Sequence, residues 1–336
     1  MRIVMMGTGT FAEPTFEALL SNFGADVVGL VTQPERDAGN KRGSTRQTGK
    51  GMTTIAETAC GFAIAQPESI NSPEGLAALR EMKPDLLVVA AYGQILSKDV
   101  LAIPTRGVFN VHASLLPKYR GAAPVAYAIL NGETQTGVTI IKVTPGLDSG
   151  DMILQRAIDI LPGDTTGSLE ARLAVLGAKL AVDAVKLYQS GGPVEGKKQD
   201  PALVTKAPKI KKEFGLIDWS KPAEEICRFV RAMQPWPTAY TFLHRPGKEP
   251  MRIIIARVGN ESYRPTFDPG SPAGEAWSDD ENTGIGVECG RAPGRTALEI
   301  LELQPAGKGR MTAIEFLRGH PFPVDETFRF GPEVLS

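Results

Sequence analysis

Asp85-Leu-Leu-Val-Val-Ala-Ala91 constrains the fold more than any other stretch of this 336-residue chain. Six successive apolar residues cannot form the half-polar face of a surface strand. Such a run needs cover on both sides, which is the setting of a central strand in a parallel sheet. Around it the first ~190 residues alternate strand and helix patterns. Residues 2–6 read as a short strand. Pro14 suits a first helical turn and Gly24 the position just past a last one. Phe16, Leu19, Leu20 and Phe23 between them follow the spacing of a buried helix face. Residues 26–32, 107–114, 137–143 and 153–160 read as further strands. Leu169, Leu173, Leu176, Leu180, Ala184 and Leu187 mark one face of a long helix, which Ser190-Gly-Gly-Pro193 ends. The pattern predicts an α/β fold with a Rossmann-like, mostly parallel sheet.

Beyond that break the pattern changes. Residues 223–233 read as one more helix. Residues 252–258, 284–289 and 297–303 are short strand-like runs separated by Gly, Pro, Asn and Asp, as in a smaller C-terminal β-barrel of OB-like type. The expected division is a catalytic domain over 1–189, a basic linker over 190–208 and the barrel domain over 209–336.

A chain of this length can bury two cores. No apolar run approaches the ~20 residues needed to span a bilayer, and Met1-Arg-Ile-Val-Met-Met-Gly7 enters a strand without a signal-peptide pattern. Cys60, Cys227 and Cys289 are far apart. They form neither a disulfide framework nor, with His244 and His320, a metal-ligand spacing. A cytoplasmic location without a metal is therefore expected. The net charge of −1 hides two local patches. Arg36, Lys41, Arg42, Arg46 and Lys50 lie against only Asp37, and Lys197, Lys198, Lys206, Lys209, Lys211 and Lys212 against only Asp200. Such runs are usually solvated surface; their alternative use is to meet phosphates, where local rather than net charge matters.

Asn110-Val-His112 precedes Ser114-Leu-Leu-Pro-Lys-Tyr-Arg-Gly-Ala-Ala-Pro124, and Gly146-Leu-Asp148-Ser-Gly-Asp151 follows further on. Side chains alternate along a strand, so Asn110 and His112 share one face. An amide donor beside an imidazole suits acyl transfer: one stabilises a developing oxyanion, the other moves the proton of an attacking amine. Asp148 can orient the imidazole or stabilise its cationic form. Taken singly, each residue has a bland explanation: a satisfied buried histidine, the end of a ladder, an Asp holding its own turn. Their grouping with a Pro- and Gly-framed loop favours catalysis. Gly7-Thr-Gly9-Thr-Phe-Ala12 fits the short form of a dinucleotide fingerprint. The second strand, however, ends Val31-Thr32-Gln33 without the carboxylate that holds a ribose. A tight turn beside the site is the better reading.

With these residues in view, the chain resembles the methionyl-tRNA formyltransferases over nearly its whole length. The similar segments are Met1-Arg-Ile-Val-Met-Met-Gly-Thr8, Val31-Thr-Gln-Pro34, Ala91-Tyr-Gly-Gln-Ile-Leu96, residues 110–124 and 146–151, Arg231-Ala-Met-Gln-Pro-Trp-Pro237 and Gly309-Arg-Met-Thr-Ala-Ile-Glu-Phe-Leu-Arg-Gly319. The resemblance implies transfer of the formyl group of 10-formyltetrahydrofolate to the α-amine of initiator methionyl-tRNA, with Asn110, His112 and Asp148 catalytic. It implies folate contacts from Ser114, Leu115, Leu116 and Pro117, joined by Tyr92, Gly93, Ile95 and Leu96. Arg36, Lys41, Arg42, Lys209, Lys211 and Lys212 are the expected tRNA contacts. No serine or cysteine sits in a nucleophile motif, so direct transfer is expected, by a monomer that needs no membrane. Two departures stand out: Gly9-Thr10 replaces a usual Pro-acid pair, and Asn40 stands where an Arg is usual. A formyltransferase acting on an amino-sugar nucleotide is the nearest rival, and a non-catalytic module that binds folate or RNA is a second.

Overall fold

The computed structural model describes residues 1–34, 55, 62–259, 272–278, 283–291, 295–322 and 327–334. Arg36, Lys41, Arg42 and Cys60 lie outside the described residues. Two compact units emerge: Met1–Ala128 with Glu133–Lys209, and Ile129–Gly132 with Ile210–Ser336.

The first unit contains β1 (Ile3–Gly7), α1 (Glu13–Phe23), β2 (Val27–Val31), β3 (Ala63–Ala65), α2 (Pro73–Glu81), β4 (Leu86–Ala90), α3 (Lys98–Leu101), β5 (Gly107–His112), β6 (Arg120–Gly121), all but the last two residues of α4 (Pro124–Leu130), β7 (Gln135–Lys142), β8 (Met152–Asp159), α5 (Thr166–Gln189) and β9 (Lys206–Ala207). The main sheet runs β3-β2-β1-β4-β5-β7-β8. Strands β1 to β5 pair in parallel, and β7 and β8 pair antiparallel. The expected α/β fold is present. The apolar run does form the buried strand β4, between β1 and β5. Strand order reverses between β1 and β4, and the crevice beyond the carboxyl ends at such a reversal is where open α/β sheets bind ligands.

Local sequence accounts for the helices. Ser72 caps α2 by accepting from the Gly75 amide at 3.2 Å, with Pro73 in its first turn. Thr165 and Ser168 form a reciprocal capping box at the start of α5. The buried stripe of α5 is Leu169, Leu173, Leu180, Ala184 and Tyr188. Leu187, expected on that face, is 42% exposed; the 3.6-residue period carries it past the edge of the stripe, and Tyr188 takes its place. Gly177 lets the helix lie close on β5, since a Cβ there would meet Val111 Cγ1 at 2.8 Å. The Phe109 and Tyr188 rings stack with centroids 5.8 Å apart. Helix α5 thus covers the face of β5 that carries Phe109 and Val111, and Asn110 and His112 belong to the other face.

Residues 190–208, read from sequence as a basic linker, pack onto this unit: Met152 pairs with Lys197, and β9 runs parallel to β6.

The second unit contains α6 (Ala223–Ala232), β10 (Ala239–Arg245), β11 (Lys248–Val258), β12 (Glu275–Trp277), β13 (Ile285–Cys289), β14 (Thr296–Pro305), β15 (Met311–Thr312), α7 (Ala313–Gly319) and β16 (Phe328–Gly331). Six strands close a barrel in the order β11-β10-β16-β12-β13-β14, with β14 pairing back to β11. The core alternates as a barrel requires: Ala239, Thr241 and Leu243 point in, while Tyr240 and Phe242 are half-exposed. Trp219 stacks on Phe330 at 5.7 Å and donates its indole N–H to Thr241 Oγ1 at 3.0 Å.

Candidate active site

Strand β5 delivers Asn110 and His112 to the carboxyl end of the sheet, next to β4. Asn110 stands beside Val89, and His112 is opposite Thr139 of β7. The imidazole is buried at 5% exposure, and its Nε2 lies 3.0 Å from the Tyr119 carbonyl oxygen. A carbonyl can only accept, so Nε2 carries the proton of this contact. Nδ1 is then the ring nitrogen left for chemistry, and it faces Asp148 Oδ2 at 3.7 Å.

The carboxylate reaches this place by a fold-back. Strand β7 runs antiparallel to β5, and past its end the Val143 amide donates to the Val108 carbonyl at 2.9 Å. The loop 144–151 then returns along β5 to bring Asp148 to His112, four residues further on. Asp148 sits at φ 45°, and Gly150 is required because a Cβ there would collide with the Lys142 carbonyl. The Gly121 amide donates to Asp148 Oδ2 at 2.9 Å. Gly121 adopts φ 124° and approaches the Ala207 carbonyl too closely for a Cβ. Among the described residues five non-glycine residues have positive φ, and Ala91, Tyr119 and Asp148 are three of them. Strain of ~1–3 kcal/mol per residue concentrated in one region is characteristic of functional sites.

Asn110 is half-buried, and its side chain has no hydrogen-bond partner among the described residues. The amide is therefore available to an incoming oxygen. Ser114, Leu115, Leu116 and Pro117 are held rigidly. Ser114 Oγ donates to the Lys118 carbonyl at 2.6 Å, the Leu116 amide donates to Thr139 Oγ1 at 3.1 Å, and Gln155 Nε2 donates to the Leu116 carbonyl at 2.9 Å. Leu116 is buried at 3% exposure, so its side chain belongs to the interior. Leu115 lies against Gly137.

Residues 92–97 are pinned from outside. Gln33 donates to the Tyr92 carbonyl at 3.0 Å, Asn71 to the Ile95 carbonyl at 2.8 Å, and Gln94 accepts from the Ile70 amide at 3.0 Å. Tyr92 and Leu96 join the core cluster with Val4, Met6 and Val108, whereas Ile95 is 75% exposed. Burial pushes the Tyr92 phenol up to about 12, and its oxygen has no partner among the described residues. Gly9 turns at φ 81° after β1, the tight turn expected of Gly7-Thr-Gly9. Lys209, Lys211 and Lys212 are exposed, Lys209 in the first unit and Lys211 and Lys212 in the second.

The sequence reading missed several supports. Tyr119 and Gly121 act through backbone atoms, which leave no side-chain signature. Arg120 donates through Nε and Nη2 to Gln199 Oε1 at 2.9 and 2.8 Å. Gln199 Nε2 in turn donates to the Asp148 and Gly150 carbonyls, both at 2.8 Å. Gln199 lies 79 residues from Arg120, in a stretch whose lysines pointed to solvent or to phosphates rather than to the active site.

A two-unit chain with an amide, an imidazole and a carboxylate at the carboxyl end of a Rossmann-like sheet has the build of a formyltransferase. Residues 1–185 match the formyl transferase family, and residues 209–321 match the formyl transferase C-terminal domain. The methionyl-tRNA formyltransferase of Geotalea uraniireducens is 43% identical over 320 residues, covering 95% of this chain and 95% of that protein. That of Citrifermentans bemidjiense is 44% identical, with 95% and 94% covered. The chain belongs to the methionyl-tRNA formyltransferase family. Among solved structures, an N-formyltransferase from Helicobacter canadensis, in complex with folinic acid and dTDP-3-aminofucose, superposes with a TM-score of 0.61 at 18% identity, covering 89% of this chain and 99% of that one. HypX from Aquifex aeolicus, in complex with tetrahydrofolic acid, gives 0.59 at 15% identity, covering 94% of this chain and 47% of that one. At such identities these two share the fold.

Proposed function

We propose that this chain transfers the formyl group of 10-formyltetrahydrofolate to the α-amine of methionine carried on initiator tRNA, with Asn110, His112 and Asp148 as the reaction centre. The folate supplies an activated one-carbon unit, and the protein's residues supply charge stabilisation and proton movement. The observation that carries the reading is the arrangement around His112: Nε2 occupied by the Tyr119 carbonyl and Nδ1 turned to Asp148, with the unpartnered Asn110 amide on the same strand face.

In this mechanism Asn110 donates to the formyl oxygen as charge builds on it. Removing one such donor typically costs ~10²–10³ in rate. His112 Nδ1 takes a proton from the attacking amine and returns it to the departing nitrogen. Asp148 compensates the positive charge on the ring while the proton resides there. The amine adds to the formyl carbon, and the oxyanion then collapses with cleavage of the bond to the protonated folate nitrogen, so no covalent enzyme intermediate is needed. The remaining acceleration comes from holding two substrates together.

For the folate, rigid residues 114–117 and pinned residues 92–97 offer a preformed wall. Exposed Ile95 is the feature fit to meet an aromatic ligand. For the tRNA, Lys209, Lys211 and Lys212 supply phosphate contacts, together with Arg36, Lys41 and Arg42. The charge pattern and the family's acceptor support this part of the reading. We place the enzyme in the cytoplasm as a monomer; none of the described helices is long and apolar enough to cross a membrane.

The test offers the purified chain 10-formyltetrahydrofolate with either methionyl-tRNA or a nucleotide-linked amino sugar. Formylation of the aminoacyl-tRNA alone supports the proposal. Formylation of the sugar alone overturns it in favour of the rival acceptor.

A further inference from the structure

Both groups that hold His112 are themselves held by one segment, residues 197–207. Its first end clasps the Asp148 loop. Lys197 exchanges two backbone hydrogen bonds with Met152, at 2.8 and 2.9 Å, just beyond that loop. Two residues on, Gln199 donates to the Asp148 and Gly150 carbonyls. Its second end clasps the loop that follows β5. Thr205 Oγ1 accepts from the Tyr119 amide at 2.8 Å, and the Thr205 carbonyl accepts from the Arg120 amide at 2.9 Å. The Ala207 carbonyl accepts from the Ala122 and Ala123 amides at 2.8 and 3.2 Å. The segment is thus a strap. One end fixes the loop that bears the Asp148 carboxylate. The other fixes the residues whose carbonyl (Tyr119) and amide (Gly121) bond the imidazole and that carboxylate.

Gln199 is the link between the two ends. Its amide is half-buried, with the oxygen taken by the Arg120 fork and the nitrogen shared by two carbonyls. Arg120 is bonded to the strap a second time through its backbone amide, so the fork and the ladder reinforce each other. An amide suits this place chemically. A carboxylate would still accept from Arg120 but would turn negative oxygens on the Asp148 and Gly150 carbonyls. A hydrocarbon would leave the guanidinium and both carbonyls without this partner.

We propose that Gln199, oriented by Arg120, is a positioning residue for formyl transfer: it sets where the Asp148 carboxylate stands relative to His112 Nδ1, and residues 197–207 are a structural part of the active site. The proposal rests on the reading of Asn110, His112 and Asp148 as the reaction centre. A displacement of ~1 Å at a reacting group can cost ~10² in rate, and the gap to be maintained is 3.7 Å.

The test compares Gln199→Glu, Gln199→Met and His112→Ala with the parent, in the full-length chain. It measures kcat, KM for each substrate, the pH–rate profile and the thermal midpoint. Gln199→Glu and Gln199→Met are expected to lower kcat by ~10–100-fold. Both KM values should stay within about threefold, the pH–rate profile should change shape, and the midpoint should hold. Equal loss in the two variants identifies the amide N–H as the working part. Gln199→Glu that matches the parent overturns the proposal, because it keeps the Arg120 contact and loses only the donor. Loss of activity in step with the thermal midpoint overturns it in favour of a purely structural strap. A raised KM with unchanged kcat overturns it in favour of substrate binding. Failure of the underlying reading is distinguishable: there His112→Ala itself retains turnover.

Discussion

The Asp148 carboxylate is bonded to the backbone of Gly121 more closely than to His112: the Gly121 amide donates to Oδ2 at 2.9 Å, while His112 Nδ1 stands 3.7 Å from the same oxygen. The carboxylate is therefore placed by the main chain and presented to the imidazole, rather than drawn in by it. That placement depends on a glycine. Gly121 combines a φ of 124° with a close approach to the Ala207 carbonyl, and a side chain is compatible with neither.

Gly121→Ala should accordingly cost ~1–3 kcal/mol of stability through strain. It should cost about a hundredfold in kcat through displacement of the carboxylate. Denaturant unfolding and steady-state kinetics read the two effects separately. Parent-like turnover in the alanine variant would show that the Gly121 amide does not position Asp148.

The folate wall is best probed at Ile95, since Leu116 is interior and an acidic residue there would disturb the core before it disturbed a ligand. Ile95→Asp replaces an exposed apolar side chain at a pinned loop, so it should fold normally. It should raise the folate KM about tenfold, roughly the ~1.4 kcal/mol that an apolar contact of this size supplies. Affinity for tRNA should be unchanged. A rise in the tRNA constant instead would assign this loop to the other substrate.

Lys209, Lys211 and Lys212 should act through counterion release. Replacing Lys209, Lys211 and Lys212 with Gln should make the log–log salt dependence of tRNA binding shallower by about one unit per lost phosphate contact. Discrimination between initiator and elongator methionyl-tRNA should persist. Salt titration of binding gives the slope directly, and an unaltered slope would return these residues to the role of solvated surface.

In the barrel, Glu288 is buried, and one carboxyl oxygen has no partner among the described residues. Burial lifts its pKa from 4.5 to about 7; Arg295 opposes the rise and Glu275 adds to it. The folded state therefore binds this proton more tightly than the unfolded chain. The associated stability, up to ~3 kcal/mol, is fully present below about pH 4.5 and is lost as pH rises through about 7. Thermal unfolding from pH 5 to 8 should show a fall in the midpoint that Glu288→Gln removes. An identical pH dependence in parent and variant would contradict it.

Much of this was legible in the sequence because it was written in side-chain periodicity. The run from Leu86 to Ala91 gave a central strand, and the alternation of Asn110 and His112 put two polar groups on one face. The hidden parts are of two kinds. Some are backbone atoms, such as the Tyr119 carbonyl and the Gly121 amide, whose identity leaves no trace beyond a permissive glycine. Others are polar contacts across long sequence separation, such as Arg120 to Gln199, where lysine neighbours pointed to solvent or to phosphates. Short strands such as Glu275–Trp277 and Phe328–Gly331 lack the length for a period to register, and only closure of the barrel fixes them.

The central claim is that the Asn110, His112 and Asp148 group performs the transfer and does not merely hold the fold. It is tested most directly by single-turnover formylation of methionyl-tRNA by the parent, Asn110→Ala, His112→Ala and Asp148→Ala, with tRNA affinity measured on the same samples. The predicted result is a loss of about a hundredfold or more in the transfer rate for each variant, with tRNA affinity within about threefold of the parent. Transfer at the parental rate by folded Asn110→Ala or His112→Ala would contradict the account.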